Sequence, residues 1–243
     1  MNLIRAEVLK LRTTRLILWL ALFVLGMLAL VVSLNGAQRP ASELSQAQNQ
    51  RDLLTIAAVS TVISLILGIV ASTAEYAHGT VTQTFLVAPI RERVVAAKLV
   101  AAMVAGIALA AFAGVVALGL TALWLAARSI PSHLGSRDTL APLAGVLVAS
   151  ALAAAIGVGF GAIVRRQTAA IVVALVWLFV GEQLIGISGK QRYAPGRAIA
   201  SVVEAGHQGG DLLRFWPGLL LAAVYAVVLG VLGAFVVARS DVT

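Results

Sequence analysis

Cysteine is absent from the chain, histidine occurs three times and charged residues make up only 12% of 243 positions. Without cysteine there are no disulfides and no thiolate metal sites. His78, His133 and His207 all fall between apolar stretches, and the glutamates are dispersed, so no metal-ligating set of a membrane metalloprotease is present. A soluble domain carries about 25% charged and about 45–50% apolar residues. This chain is 60% hydrophobic, with a mean hydropathy of +1.00, which argues against a soluble enzyme. The longest segment outside the apolar runs, residues 188–218, has 31 residues. That is below the roughly 40 at which a domain begins to hold its own core. The expectation is one membrane domain over residues 1–243, and any catalytic engine must sit in the membrane or on another chain.

The apolar residues lie in six long runs, at 16–34, 53–74, 99–127, 140–164, 169–187 and 219–237. The shortest has 19 residues, close to the roughly 20 that cross a hydrocarbon core about 30 Å thick at about 1.5 Å rise per residue. The expected fold is therefore an all-α integral membrane protein with six transmembrane helices. The first run follows a basic segment as a signal peptide does. Its 19 residues exceed the roughly 7–15 of a signal core, so it reads as an uncleaved span.

The net charge of +8 and the isoelectric point near 11.0 come from basic residues at the ends of the runs. That placement suits anionic headgroups and topology rather than nucleic acid, which is not expected as a partner. Arg5, Lys10, Arg12, Arg15, Arg91, Arg93, Lys98, Arg165, Arg166 and Arg239 fall on one side of a six-span layout. Arg39, Arg51, Arg128, Arg137, Lys190, Arg192, Arg197 and Arg214 fall on the other, four of them inside the single connection 188–218. The positive-inside bias places both termini in the cytoplasm.

Residues 1–15 read as a short helix with Leu3, Ile4, Val8 and Leu11 on one face and Arg5, Glu7 and Arg12 around the other. Being too short and too charged to cross, it is expected in the interface plane, with a plain basic topogenic tail as the alternative. The connection 35–52 is polar and contains Pro40, and its end can extend the second span outward as a helix. No chemistry is expected there.

The connection 75–98 has 24 residues, whereas the other link on the same side, 165–168, has four. A turn does not need that length. Gly79 can break the second span, Thr80 can cap a new helix carrying Val81, Phe85 and Leu86, and Pro89 ends it, having no amide donor. Such a helix suits docking into a groove on another protein, or else lies on lipid.

Glu75-Tyr76-x-x-Gly79-Thr80, followed by Pro89, Arg91 and Ala97-Lys98 and preceded by Glu7-x-x-Lys10-Leu11-Arg12, resembles the membrane subunit of a type-2 ABC exporter. The resemblance runs over the whole chain in the order and spacing of its parts. It implies an N-terminal amphipathic elbow helix, a coupling helix at 79–89 and a reentrant outer pair before the last span. It also implies that Glu75, Tyr76, Gly79, Thr80, Thr84, Phe85, Pro89, Arg91, Arg93 and Lys98 couple to an ATP-binding subunit, with Glu7, Lys10 and Arg12 anchoring the elbow. The implied partners are two copies of that ATP-binding subunit, a second permease copy or paralogue, and the bilayer of the bacterial cytoplasmic membrane. ATP and magnesium would be bound by the partner and no cofactor by this chain.

A phosphate-binding loop requires G-x-x-x-x-G-K-[ST]. The nearest approach ends Gly189-Lys190-Gln191, with Leu184 in place of the first glycine and glutamine in place of the magnesium-holding hydroxyl, so ATP must be hydrolysed elsewhere. Gly186-x-Ser188-Gly189 resembles the serine motif of rhomboid proteases, but the last run holds no histidine to act as base.

Glu182 is the one acid inside a run, off-centre toward the outer boundary. It reads as a gate residue or as an acid satisfied by headgroups or a neighbouring helix. Arg197, Glu204, Arg214 and Trp216 are further gate candidates in the connection 188–218, where surface charge is the alternative. Small residues recur every fourth position at Ala102–Gly106–Ala110–Gly114, at Gly145–Ala149–Ala153–Gly157–Gly161 and at Gly218–Ala222–Ala226–Gly230–Ala234, and these are expected to be packing faces. The reading that follows is a permease exporting a drug, lipid, peptide or ion. The alternative is a stand-alone six-span secondary transporter or a sensory or immunity scaffold, against which the absence of mid-membrane charge and of inverted repeats counts.

Overall fold

A computed structural model describes residues 3–77, 91–187, 189–204 and 212–239, with the side chains of Arg12 and Arg91 left aside. The expected coupling residues Gly79, Thr80, Thr84, Phe85 and Pro89 lie outside the described residues, as do Ser188 and His207. All regular structure among the described residues is helical. In chain order it comprises α1 (Leu3–Thr13), α2 (Arg15–Gln38), α3 (Ala41–Leu44), α4 (Ala47–Thr55), α5 (Val59–Ala77) and α6 (Arg91–Ala127). There follow α7 (Arg137–Val164), α8 (Gln167–Val176), α9 (Glu182–Gly186), α10 (Pro195–Val203) and α11 (Phe215–Arg239). A 3₁₀ turn at Ile56–Ala58 joins α4 to α5, and a π turn at Trp177–Gly181 joins α8 to α9. Read through these joins, six helices are long and apolar enough to cross a membrane, and the chain is a multi-pass membrane protein.

These helices overrun the apolar stretches because their ends carry residues that satisfy free backbone groups or meet polar partners. Ser136 accepts the Thr139 amide to start α7, and Arg165 closes it in a left-handed conformation at φ 60°. Thr14 is extended between α1 and α2, and its hydroxyl donates to the Lys10 carbonyl at 2.5 Å, which finishes the first helix before the membrane run begins.

The bundle is organised around α7. It pairs most extensively with α5, then with α6 and α11, and 72% of its apolar window is buried. In lipid no hydrophobic force drives helices together, so close packing must, and close packing needs small residues. All five positions of the α7 stripe are buried. A Cβ at Gly157 would overlap the Leu65 carbonyl of α5, and one at Gly68 would overlap the Ala154 carbonyl of α7. The two backbones therefore touch directly. On the opposite end of the scale, α2 buries only Val24, Leu28, Val32 and Gly36, and the α8 to α9 window is 11% buried. Most of the remaining large apolar residues of these two spans face outward.

One face of the bundle carries α1 and the end of α11. There Arg165 Nη2 donates to the Val236 carbonyl at 2.8 Å. The opposite, distal face carries the links after α2, α6 and α9. The segment before α5 is helical, and Gln50 on α4 is fully buried. Its Nε2 donates to the Leu44 and Pro131 carbonyls at 2.9 and 2.8 Å, and its Oε1 accepts the His133 amide at 2.8 Å. A single glutamine thus joins three distal segments where no chemistry was expected.

A substitution pair separates packing from helix propensity. Gly26 in α2 has open space around it, so Gly26→Ala is expected to be neutral or to raise the thermal midpoint, in line with about 0.5–1 kcal/mol of propensity gain. Gly157→Ala is expected to lower it, because overpacking a tight contact costs about 1–3 kcal/mol. Thermal unfolding of both purified variants in the same detergent checks the contrast.

Candidate functional site

At the end of the bundle that carries the termini, three elements meet through charge. Glu75 stands two residues before the end of α5, Lys98 is two turns into α6, and Glu7 and Lys10 lie on α1. Lys98 Nζ donates to Glu75 Oε1 at 2.9 Å, to Glu7 Oε2 at 3.1 Å and to the Ala71 carbonyl at 3.4 Å. An ammonium has three donors, so this one is fully used. Lys10 Nζ reaches the same Glu75 oxygen at 2.5 Å. The order Glu7, Lys98, Glu75, Lys10 alternates in sign and sums to zero. Glu75 and Lys98 are 4% and 5% exposed, while half of the Lys10 side chain remains in water.

A buried ion pair is worth little in net stability, yet removing one partner costs about 3–5 kcal/mol because the other charge is stranded. The network therefore makes the relative positions of α1, α5 and α6 expensive to change one at a time. Glu7 departs from its expected place. The helical period puts it among the polar residues around the outside of α1, but α1 packs against α6, and Glu7 turns onto Lys98. The pull of a buried ammonium outweighs the amphipathic pattern over an 11-residue helix.

Tyr76 follows Glu75 and faces the Arg165 guanidinium, whose carbon lies 6.0 Å from the ring centroid. Arg165 in turn holds the last turn of α11 through Val236. Arg93 is exposed on the first turn of α6. The structure thus brings together Glu7, Lys10, Glu75 and Lys98, sets Tyr76 beside them, and leaves Arg93 on the surface. The segment 78–90 starts directly after this cluster and ends directly before α6.

The gate candidates divide. Glu182 is 4% exposed at the start of α9, and its Oε1 accepts the Gly196 amide at 2.6 Å. Pro195 occupies the first turn of α10, so Glu182 places its carboxylate on that helix's N-terminus, where a negative charge is favoured. Arg197 lies one residue on, within electrostatic reach of Glu182. Glu204 ends α10, and its carbonyl accepts Arg51 Nη2 at 3.4 Å. Arg214 is exposed, and Trp216 is 69% exposed, edge-on to Phe215 with centroids 5.2 Å apart. Tyr225 Oη donates to the Tyr193 carbonyl at 2.8 Å and ties the segment to α11. Gln50, Arg51 and Tyr225 were not among the expected site residues. Gln50 and Arg51 stand out in hindsight as polar side chains leading straight into an apolar run.

No group of three or more carboxylate or histidine side chains able to hold a metal occurs among the described residues. No curated protein matches the chain. The protein family described as ABC-2 family transporter protein matches residues 3–181, from the first residue of α1 to the last of the π turn. The matched region contains all four members of the charge network. The chain belongs to the ABC-2 transporter family, whose members are membrane permease components of ABC transporters.

Proposed function

We propose that the chain is the membrane-spanning subunit of an ATP-driven exporter, pairs with a second permease chain, and receives the stroke of a separate ATP-binding subunit at the end that carries the termini. In this reading both termini are cytoplasmic and α1 is the elbow helix. The segment 79–89 is the coupling helix, with Phe85 as its docking residue and Arg91 and Arg93 at its return to the membrane. Residues 188–218 form the outer closure. The observation that carries the reading is the buried network of Glu7, Lys98, Glu75 and Lys10, which brackets the 78–90 segment and links it to α1. A force applied to that segment reaches α5 and α6 together and carries α1 with them. Family membership and the lack of a phosphate-binding loop support placing ATP hydrolysis on a partner.

Two measurements test this. Phe85→Asp is expected to abolish co-purification of the ATP-binding subunit while leaving membrane insertion intact. Unchanged co-purification overturns the docking assignment.

Lys98→Met is expected to cost about 3–5 kcal/mol, which at roughly 2–4 °C per kcal/mol lowers the thermal midpoint by about 6–20 °C. The double variant Glu75→Gln/Lys98→Met recovers part of that drop, since the 4%-exposed carboxylate is neutralised together with the lysine while Glu7, 12% exposed, still loses its partner, and exposed Arg93→Met is near-neutral. Tryptophan fluorescence during thermal unfolding reads all three. A midpoint for Lys98→Met no lower than for Arg93→Met removes the network from the argument.

A further inference from the structure

The basic residues of segment 188–218 run against the positive-inside bias that orders the rest of the chain. Lys190, Arg192 and Arg197 fall within eight positions of one another beside the N-terminus of α10. Lys190 and Arg192 are exposed, and neither forms a salt bridge among the described residues. Arg192 stacks over Tyr193 at 5.0 Å, and the Tyr193 carbonyl is held by Tyr225, so this rim is anchored to α11. Glu182 acts electrostatically on Arg197, which leaves Lys190 and Arg192 as two positive charges with no salt-bridge partner among the described residues.

Beneath the rim lies a cavity of 240 Å³ bounded by α5, α7, α8, α10 and α11. Its walls are apolar except for Glu182, whose carboxylate is turned onto α10. It follows a stripe along one helix, Val173, Ala174, Trp177, Leu178 and Glu182, with Phe160 at its inner end and Gly196 at its outer end. The nine residue-to-residue steps from Val173 to Glu182 span about 13 Å at about 1.5 Å per step. Spread over that length, the 240 Å³ open to the centre of a water-sized sphere outlines a slot about 7–8 Å across, roughly 45 Å² in section, once that sphere's own radius is included. A helix with side chains, about 10–12 Å across, needs roughly 80–110 Å² and cannot enter. A row of methylene groups, whose carbons meet neighbours at about 3.5–4.0 Å, fits. The π turn at Trp177–Gly181 interrupts the wall midway, and the Trp177 ring folds back onto Gly181, which has no side chain to obstruct it. Val173 and Trp177 are 52% and 48% exposed, so the slot opens sideways onto the lipid-facing surface of the least buried span. Apolar cavities do not fill with water. Where hydrocarbon chains lie alongside, they fill it.

We propose that this slot binds one hydrocarbon chain of an anionic phospholipid, with the phosphate on Lys190, Arg192 and Arg197. The site is built within one chain and stands apart from any coupling to an ATP-binding subunit.

The test uses the full chain in nanodiscs containing phosphatidylglycerol with a diazirine near the end of one acyl chain, followed by irradiation and peptide mapping. Label is expected on the segments holding Phe160 and Val173 to Trp177, above the level on exposed α2. Ala174→Trp, which fills the slot, lowers it at least fivefold. Unlabelled phosphatidylglycerol competes at least fivefold better than phosphatidylcholine, and Lys190→Gln with Arg192→Gln abolishes that preference. This surface variant alters no core packing and carries the test if Ala174→Trp fails to fold. Uniform labelling of all exposed spans, or equal competition by the two lipids, overturns the proposal. So does crosslinking of two Ala174→Cys chains to each other, which places a second copy over the slot.

Discussion

A lysine ammonium that has given up water for three protein acceptors joins the first helix to the ends of the second and third spans. Lys98 has no solvent to fall back on, since it is 5% exposed, and each of its donors is committed to a different element or turn. Everything proposed for the end that carries the termini depends on this. If α1 moved without α6, or α5 without either, a charge would be stranded at a cost of about 3–5 kcal/mol, comparable to the whole stability margin of many domains. Glu75 needs both Lys98 and Lys10 for the same reason. It lies one residue from Tyr76, which meets Arg165, so the ends of α7 and α11 are drawn into the same assembly.

Deeper in the membrane the constraint changes from charge to shape. Between Gly68, Ala154, Gly157 and Leu65 the α5 and α7 backbones are in contact, and nothing larger than hydrogen fits at the two glycines. This pair forms a rigid centre, while α2 and α8 attach by narrow seams. A bundle with a dense middle and loosely attached edges leaves gaps between edge and middle, and the slot along α8 is one of them. Its walls, apolar apart from Glu182 and open to the side, follow from the small α7 residues that bring α5 close and leave the bulkier α8 standing off.

The six spans were legible because length and uniform apolarity in a water-free medium admit little but helices. The small-residue stripes were legible as packing faces, and Ala102, Gly157 and Ala222 are all buried. The charge network was legible only in its members. Glu7 and Lys98 are 91 positions apart, and no local rule brings them together, because the pairing follows from α1 folding back over α6 after Thr14. For Glu7 the local rule pointed away from its actual partner, since amphipathic periodicity assumes that charge seeks water rather than another charge. The role of Gln50 depends on carbonyls at Leu44 and Pro131, the second of them 81 residues away. The π turn leaves no composition signal, and the placement of residues 78–90 lies outside the described structure.

The two ends of the bundle are held by bonds of different kinds. At the end carrying the termini the ties are buried charge pairs spanning three helices. At the distal end, α10 is held by the Gly196 amide on Glu182, the Arg51 contact to the Glu204 carbonyl and the tie from Tyr225 to Tyr193. A neutral hydrogen bond contributes about 0.5–1.5 kcal/mol and one to a charged group about 1.5–3, and exchange with water or headgroups compensates much of that loss when the bond opens near the membrane surface. The elements α1, α5 and α6 are thus tied to one another by charge, whereas α10 combines weaker polar ties with the burial of Ala198, Val202 and Val203. Glu182 is the strongest of those ties. The acid that the sequence marks as out of place within a span is thus satisfied by the N-terminus of α10.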